Sequence, residues 1–223
     1  LSVAEHVLAL MLALAKRIIP YDRATRSHDW TLRNSYSLVD LEGKVLGILG
    51  FGRIGTLVCQ KARTAFGMDI LVYDPLQPKE AIEAAGGRPV ADMREILRVA
   101  DVVTLHMPLT AETRGVIGEA ELRMMKPSAF LINCARGGVV NEAALFAALR
   151  DGTIAGAGLD VYDPEPPAAD NPLFGLSNVV LSPHSAALTI EGVMRMAMQA
   201  AQAIIDVLEG RVPEGVVNPE ALA

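Results

Sequence analysis

Cysteine, clustered basic residues and long apolar runs are all scarce in this 223-residue chain, and each scarcity excludes a class of protein. The two cysteines, Cys59 and Cys134, lie far apart with no cysteine or histidine at metal-ligand spacing, so neither a disulfide framework nor a zinc site is indicated. The longest apolar run, residues 7–15, is far shorter than the roughly 20 residues that cross a bilayer. A net charge of −6 without clustered Lys or Arg argues against nucleic-acid binding. Two isolated cysteines fit a reducing cytoplasm best.

Hydrophobic residues make up 51% of the sequence, which is ample for a buried core. The opening Ser2-Val3-Ala4-Glu5 matches a capping box, in which Ser2 and Glu5 satisfy each other's backbone N–H groups. It predicts a helix that runs to about Arg17, before Pro20 ends it. Apolar side chains cover nearly the whole circumference of this helix, which predicts burial on all sides. The covering surface is either this domain or the second subunit of a homodimer.

After a polar connector at 21–43, short apolar runs alternate with longer helical patterns. Strands are predicted at 44–49, 69–73, 101–105, 129–132, 154–160 and 178–181, and helices at 53–66, 92–99, 119–125, 141–150 and 189–210. Strands rich in Val, Ile and Leu without polar alternation are covered on both faces. Strict alternation of strand and helix builds a parallel sheet. The pattern therefore predicts an α/β fold of Rossmann type, a doubly wound parallel sheet of six strands with helices on both faces.

A glycine-rich segment, Gly50-Phe51-Gly52-Arg53-Ile54-Gly55, follows the first predicted strand directly and opens the next helix. Gly50 permits a tight turn, Gly52 lets the backbone approach a pyrophosphate, and Gly55 allows close helix–strand packing. Asp74 ends the second strand, where its carboxylate can accept from both hydroxyls of an adenosine ribose and repel a 2′-phosphate. Because no arginine follows within several residues, NAD is favoured over NADP as the cofactor. The alternative is that these residues serve only a turn and a strand end.

Polar residues follow the later strands where ligands bind in open α/β sheets, beyond the carboxyl ends. These residues are Arg136, Asp160, Glu165 and His184. Reduction of a 2-keto acid requires a proton donor, which His184 can be, and Glu165 would stabilise the imidazolium. The guanidinium of Arg136 matches a carboxylate or a polarised carbonyl. These roles are complete without a metal.

With these motifs the chain resembles the D-isomer-specific 2-hydroxyacid dehydrogenases, including the phosphoglycerate dehydrogenase branch, over nearly all of its length. The matching segments are the opening helix at 2–17, the glycine loop at 47–55, and residues 131–138, 158–166 and 182–187. The resemblance implies that Arg136 binds substrate and that Asp160 contacts the nicotinamide. It also implies that His184, paired with Glu165, is the acid/base residue.

The loop after the third strand resembles the family's loop that passes near the cofactor. Its His106 and Thr113 are therefore expected cofactor-binding residues. We interpret His106 as positioning or structural rather than catalytic, because the sequence assigns it no carboxylate partner. His6 and His28 are given no functional role. Trp30 and Tyr36 are interpreted as packing residues.

Members of this family carry an N-terminal substrate-binding domain of roughly one hundred residues, which is an ordinary domain size. The resemblance implies that 1–223 is a dinucleotide-binding domain without it. Its parts would be an opening helix and connector at 2–43, a core at 44–187, and a C-terminal helix and tail at 188–223.

The implied function is NAD-dependent hydride transfer between a small D-2-hydroxy acid and its 2-keto acid. Phosphohydroxypyruvate, hydroxypyruvate and glyoxylate stay open as substrates. The alternative is an NAD-responsive binding protein, because the family also resembles the C-terminal-binding-protein corepressors. Formate dehydrogenases, which pair the histidine with glutamine, are disfavoured by Glu165.

Overall fold

The computed structural model describes residues 1–35 and 37–218. The chain divides into two compact units, Leu1 with Val3–Ala186, and Ser2 with the chain from Ala187 onward. The strands of the first unit are β1 (Val45–Leu49), β2 (Asp69–Tyr73), β3 (Arg88–Pro89), β4 (Val102–Leu105), β5 (Phe130–Asn133), β6 (Gly156–Leu159) and β7 (Val179–Leu181). The helices before Ala187 are α1 (Ser2–Ala15), α2 (Ile18–Arg26), α3 (Arg53–Phe66), α4 (Lys79–Ala84), α5 (Met93–Val99), α6 (Glu119–Met124) and α7 (Glu142–Arg150).

The described strands form one parallel sheet in the order β3-β2-β1-β4-β5-β6-β7. The chain moves outward from β1 to β3, crosses back to β4, and then moves outward in the other direction. The last residues of neighbouring strands are paired, Leu49 with Leu105 and Asn133 with Leu159. The loops after these strands therefore leave the sheet together at the carboxyl ends of the strands, next to the point where strand order reverses. We call this end of the sheet the sheet edge, and α/β sheets bind ligands there.

Helices cover both faces of this sheet. On one face, Ile96 of α5 and Leu145 of α7 are fully buried against a core that includes Val103. On the other face, Val7 of α1 and Val58 of α3 are buried in a second core. Because successive strand residues point to opposite faces and both faces are covered, the strands in the middle of the sheet are mostly apolar. This arrangement confirms the predicted doubly wound α/β fold.

The structure adds elements that the sequence pattern did not predict. A seventh strand, β3, is two residues long and lies at one edge of the sheet, where Pro89 is tolerated because no neighbour needs its N–H. The short helix α4 was also missed. By contrast, β2 and α3 have the bounds predicted for them.

The opening helix differs from its prediction at both ends. Leu1 is the N-cap and no side chain caps the helix, so the predicted capping box of Ser2 and Glu5 is wrong. The helix ends at Ala15, and Arg17 adopts a left-handed conformation (φ 47°) before α2 begins. Pro20 lies in the first turn of α2, where its missing N–H costs nothing, so it does not end the first helix.

Burial of α1 is one-sided within this chain. Leu10, Met11 and Leu14 are buried, whereas Leu8 is partly buried and Ala9 is exposed. The predicted burial on all sides is therefore only partly met by the chain itself.

The second unit contains α8 (Ile190–Leu208), which is shorter at its C-terminal end than predicted. The side chain of Thr189 caps this helix by accepting a hydrogen bond from the Gly192 N–H at 2.9 Å. The Ser2 hydroxyl lies 3.0 Å from the Thr189 hydroxyl and accepts from Arg195 at 2.8 Å.

Tyr36 and the end of the predicted tail lie outside the described residues. None of the described helices has the length and apolar character needed to cross a membrane.

Candidate active site

The glycine loop after β1 is packed so closely that side chains are excluded at two positions. Gly50 has φ 95°, and a Cβ there would lie 2.7 Å from the backbone of His106 and Met107. A Cβ at Gly55 would lie 2.5 Å from the Gly50 carbonyl oxygen. The loop is therefore built from glycine to bring β1, α3 and the loop after β4 together.

Gly52 has the opposite environment. A Cβ at Gly52 would meet nothing within 4 Å, so the space in front of it is open. Gly52 is also the N-cap of α3, whose first N–H groups have no side-chain cap. An open backbone next to a helix N-terminus fits the pyrophosphate of a dinucleotide. Arg53 and Ile54, the next two residues, are exposed and partly buried respectively.

The Asp74 carboxylate, at the end of β2, lies against this loop. One oxygen accepts from the Phe51 N–H at 2.6 Å and the other accepts from the Leu76 N–H at 2.8 Å. Each carboxylate oxygen can accept more than one hydrogen bond, so the ribose hydroxyls of a dinucleotide can still be bound. The described residues thus fit both the phosphate and the ribose parts of the cofactor.

His106 follows β4 and is held by its neighbours. The backbone N–H of His106 donates to the Leu49 carbonyl at 2.7 Å, and the ring Nε2 lies 3.1 Å from the Thr104 hydroxyl. Burial lowers the pKa of His106 to about 4, so the ring is neutral near neutral pH. Thr113 shapes the same loop, since its hydroxyl donates to the Pro108 carbonyl at 2.6 Å.

Arg136 is held in place just after β5 by hydrogen bonds of the Asn133 side chain. The Asn133 amide donates to the Arg136 carbonyl and accepts from the Ala135 N–H, both at 3.0 Å. The Arg136 side chain is exposed and donates to the Ala135 carbonyl at 2.6 Å. No carboxylate of the described residues forms an ion pair with it, so its guanidinium can bind an incoming anion.

His184 and Glu165 form a pair at the same sheet edge. The His184 Nδ1 lies 2.6 Å from one Glu165 oxygen, and the other oxygen accepts from the Tyr162 N–H at 2.9 Å. Partial burial opposes ionisation of Glu165, but the hydrogen bonds from His184 and from the Tyr162 N–H outweigh it and lower the pKa. An ionised Glu165 can only accept, so Nδ1 carries a proton and Nε2 is the ring nitrogen left for substrate.

Asp160 is almost fully buried, with 1% of its surface exposed. One oxygen accepts from the Ser182 hydroxyl at 2.6 Å and the Ser185 N–H at 2.9 Å, and the other accepts from the Ala186 N–H at 2.9 Å. Asp160 thus holds the segment that carries His184. Its predicted contact with the nicotinamide stays a prediction.

Sequence reasoning missed His6 and Ser182. The His6 Nε2 lies 2.8 Å from the Ser182 hydroxyl, behind the segment that carries His184. The available signal was a histidine on a mostly apolar helix, but its partner lies 176 residues further along the chain. Trp30 is 65% exposed, so the packing role given to it is wrong within this chain.

The parallel sheet and the open glycine loop at the N-terminus of α3 are the features of a dinucleotide-binding domain. Residues 8–186 match the family model described as D-isomer specific 2-hydroxyacid dehydrogenase, NAD binding domain. The chain belongs to this family, as its motifs predict.

Named relatives and a solved structure agree with this assignment. The chain is 44% identical to a D-3-phosphoglycerate dehydrogenase of Methanocaldococcus jannaschii, over 98% of this chain and 41% of that protein. It is 43% identical to a glyoxylate reductase of Aeropyrum pernix, over 99% of this chain and 67% of that protein. The NAD-complexed D-isomer specific 2-hydroxyacid dehydrogenase of Lactobacillus delbrueckii ssp. bulgaricus superposes with a TM-score of 0.87 at 32% identity, covering 97% of this chain and 69% of that one.

Proposed function

We propose that this chain is the NAD-binding part of an enzyme that interconverts a small D-2-hydroxy acid and its 2-keto acid. The observation that carries the proposal is the pair of His184 and Glu165, 2.6 Å apart, on the sheet edge that also carries Arg136 and the glycine loop. The names of the relatives, a phosphoglycerate dehydrogenase and a glyoxylate reductase, support this class of substrate.

Each residue of the site has a defined task in this reaction. NAD, held by the glycine loop and Asp74, supplies the chemistry of hydride transfer when it is bound. Arg136 binds the substrate carboxylate and polarises the neighbouring carbonyl. In reduction, His184 donates a proton to the carbonyl oxygen as it becomes an alkoxide, and in oxidation it takes the proton from the hydroxyl. Glu165 stabilises the imidazolium and fixes the orientation of the ring.

We propose that a further substrate-binding part completes the site, since the chain spans 41% and 67% of the two relatives named above. Closure of such a part over the edge would exclude water during the reaction. We also propose a homodimer, which is supported by the exposed apolar residues Ile18 and Trp30. A cytoplasmic location is supported by the two free, buried thiols.

The test is NADH oxidation by the whole protein with a panel of 2-keto acids that includes glyoxylate, hydroxypyruvate and phosphohydroxypyruvate. His184→Ala should lower kcat by roughly 10²- to 10⁴-fold with NADH affinity unchanged. Arg136→Ala should also raise KM strongly, whereas Arg123→Ala, an exposed arginine on α6, is the matched control. Binding of NADH without turnover of any keto acid would instead favour the NAD-responsive binding protein.

A further inference from the structure

The geometry points to His6 as a positioning residue for the acid/base histidine. Through Ser182 and Asp160, His6 holds the segment that presents His184 to substrate. This inference rests on the proposed function, because it assigns His6 a task in the reaction of His184. His6 lies on α1, far from the glycine loop and from Arg136 in the sequence.

The hydrogen-bond chain has one consistent direction. The Ser182 hydroxyl lies 2.6 Å from an Asp160 oxygen and 2.8 Å from the His6 Nε2. A carboxylate can only accept, and a serine hydroxyl has a single proton to give. Ser182 therefore donates to Asp160 and accepts from His6, so that the proton of this bond lies on the His6 Nε2.

Asp160 needs this support because its carboxylate is buried. A carboxylate with 1% exposure is tolerated only when its oxygens are hydrogen-bonded or paired. Within the described part of the chain, His6 is the only group able to carry a positive charge within 4 Å of Asp160, at 3.7 Å. Without His6, the Ser182 hydroxyl loses its donor and is free to turn away from Asp160.

The same carboxylate fixes the backbone on the far side of His184. His184 has φ 52°, a left-handed conformation that is unfavourable for a residue other than glycine. The next two residues, Ser185 and Ala186, donate their N–H groups to Asp160 at 2.9 Å. These bonds hold the segment in a shape that it would not adopt alone.

Tyr162 joins both halves of the catalytic pair to this network. Its hydroxyl donates to the Ser182 carbonyl at 3.0 Å, and its N–H donates to Glu165 at 2.9 Å. A shift of Ser182 is therefore transmitted to Glu165 as well as to His184. A small misplacement of reacting groups is enough to lower the rate of the chemical step by up to about 10²-fold.

The kinetic test compares two variants of His6 in the whole protein. His6→Leu removes the donor and should lower kcat by about 10- to 100-fold, with the KM for keto acid and the affinity for NADH close to wild type. His6→Gln retains an N–H donor and should recover most of the lost rate. His28→Asn is the control, because His28 is an exposed histidine whose left-handed backbone suits asparagine.

A second measurement does not depend on turnover. Hydrogen exchange at the Ser185 and Ala186 amides should be faster in His6→Leu than in the wild type, and near wild type in His6→Gln. If no form of the protein reduces any keto acid, the proposed function fails while the exchange comparison still tests the network.

A double-mutant cycle covers the case in which His6→Leu is poorly folded. Ser182→Ala removes the middle link, and His6→Ala removes the donor without placing a bulky apolar group there. Combining the two should add little further loss of kcat to that of either single variant if both act through Asp160. Unchanged kcat and exchange in His6→Leu, a failure of His6→Gln to recover the rate, or fully additive losses would overturn the inference.

Discussion

The carboxylates of this site are oriented mainly by backbone N–H groups. Asp74 accepts from two of them, Glu165 from one and Asp160 from two. Backbone donors cannot rotate away, so each carboxylate is fixed before any ligand arrives. For Glu165, the bond from the Tyr162 N–H also helps to lower the pKa of the carboxyl, because it stabilises the charged form.

The position of Asp74 predicts a preference for NADH over NADPH. A carboxylate held beside the glycine loop would repel a 2′-phosphate and bind the ribose hydroxyls. Asp74→Ala should weaken NADH binding and should lower the ratio of NADH affinity to NADPH affinity by roughly tenfold or more. Fluorescence titration of both cofactors at one salt concentration measures this. Equal affinities in the wild type would contradict the assignment.

The charge of Glu165 predicts how keto-acid reduction depends on pH. Because its pKa is lowered, Glu165 stays negative, and its carboxylate lies 2.6 Å from the His184 Nδ1. Reduction consumes a proton, which His184 donates in the proposed reaction, so kcat/KM should fall as pH rises. Glu165→Gln removes the charge and should move the midpoint of this fall to lower pH. The same midpoint in Glu165→Gln as in wild type and in the exposed control Glu119→Gln would show that Glu165 has no such role.

His106 predicts a loss of stability in acid. Burial lowers its pKa from 6.5 to about 4, so between these values the unfolded chain binds a proton that the folded chain does not. The contribution of His106 to stability is therefore complete above about pH 6.5 and is lost as pH falls towards 4. His106→Gln cannot titrate and should lose less unfolding free energy between about pH 7 and about pH 5. Urea unfolding at both pH values measures the difference, and an equal loss in both proteins would contradict this account.

At the scale of elements, apolar runs were informative and short polar elements were not. The run at 69–73 predicted β2 with its observed bounds, because a buried parallel strand needs Val, Ile and Leu on both faces. β3 has two residues, one of them proline, so no pattern could reveal it. Pro20 was interpreted as a helix end because proline both starts and stops helices, and only the backbone turn at Arg17 decides which.

The candidate site was predictable where it follows strand ends. The parallel sheet aligns those ends, so Arg136, Glu165 and His184 could be placed at one edge from sequence. His6 could not, because its role depends on a contact with Ser182 across the fold. Asp160 was predicted as a cofactor contact, yet its bonds to the His184 segment appear only in three dimensions.

The open space at Gly52 predicts that a substitution there weakens NADH binding much more than it lowers the stability of the fold. A Cβ at Gly52 meets no protein atom within 4 Å, so Gly52→Ala should cost about 1 kcal/mol of stability or less. The added methyl group would occupy the space of the pyrophosphate and should weaken NADH binding by roughly tenfold or more. Gly175→Ala, which also meets nothing within 4 Å but lies away from the loop, should change neither quantity. Urea unfolding and NADH titration test this, and normal NADH binding by Gly52→Ala would place the cofactor elsewhere.

At the scale of the whole molecule, several strands each contribute one part of the site to the carboxyl end of the sheet. The glycine loop follows β1, Arg136 follows β5, and His184 follows β7. Because these strands come from distant parts of the sequence, the cofactor and substrate groups meet only when the sheet is complete. Loss of sheet order should therefore abolish NADH binding and the acid/base pair together.

The exposed side of α1 predicts the oligomeric state. Its inner face is buried in the core, but Leu8 is only partly buried and Ala9 is exposed on a helix with little polar surface. A second copy related by a two-fold axis would cover this side and bring each patch against its equivalent. We expect a dimer at micromolar concentration in sedimentation experiments.

Ala9→Arg should dissociate this dimer without unfolding the chain, since an exposed alanine leaves room for the larger side chain. Ala143→Arg, at an exposed alanine of α7 on the opposite face of the sheet, should leave the dimer intact. A monomeric wild type, or an unchanged dimer in Ala9→Arg, would show that this side of α1 is not the interface.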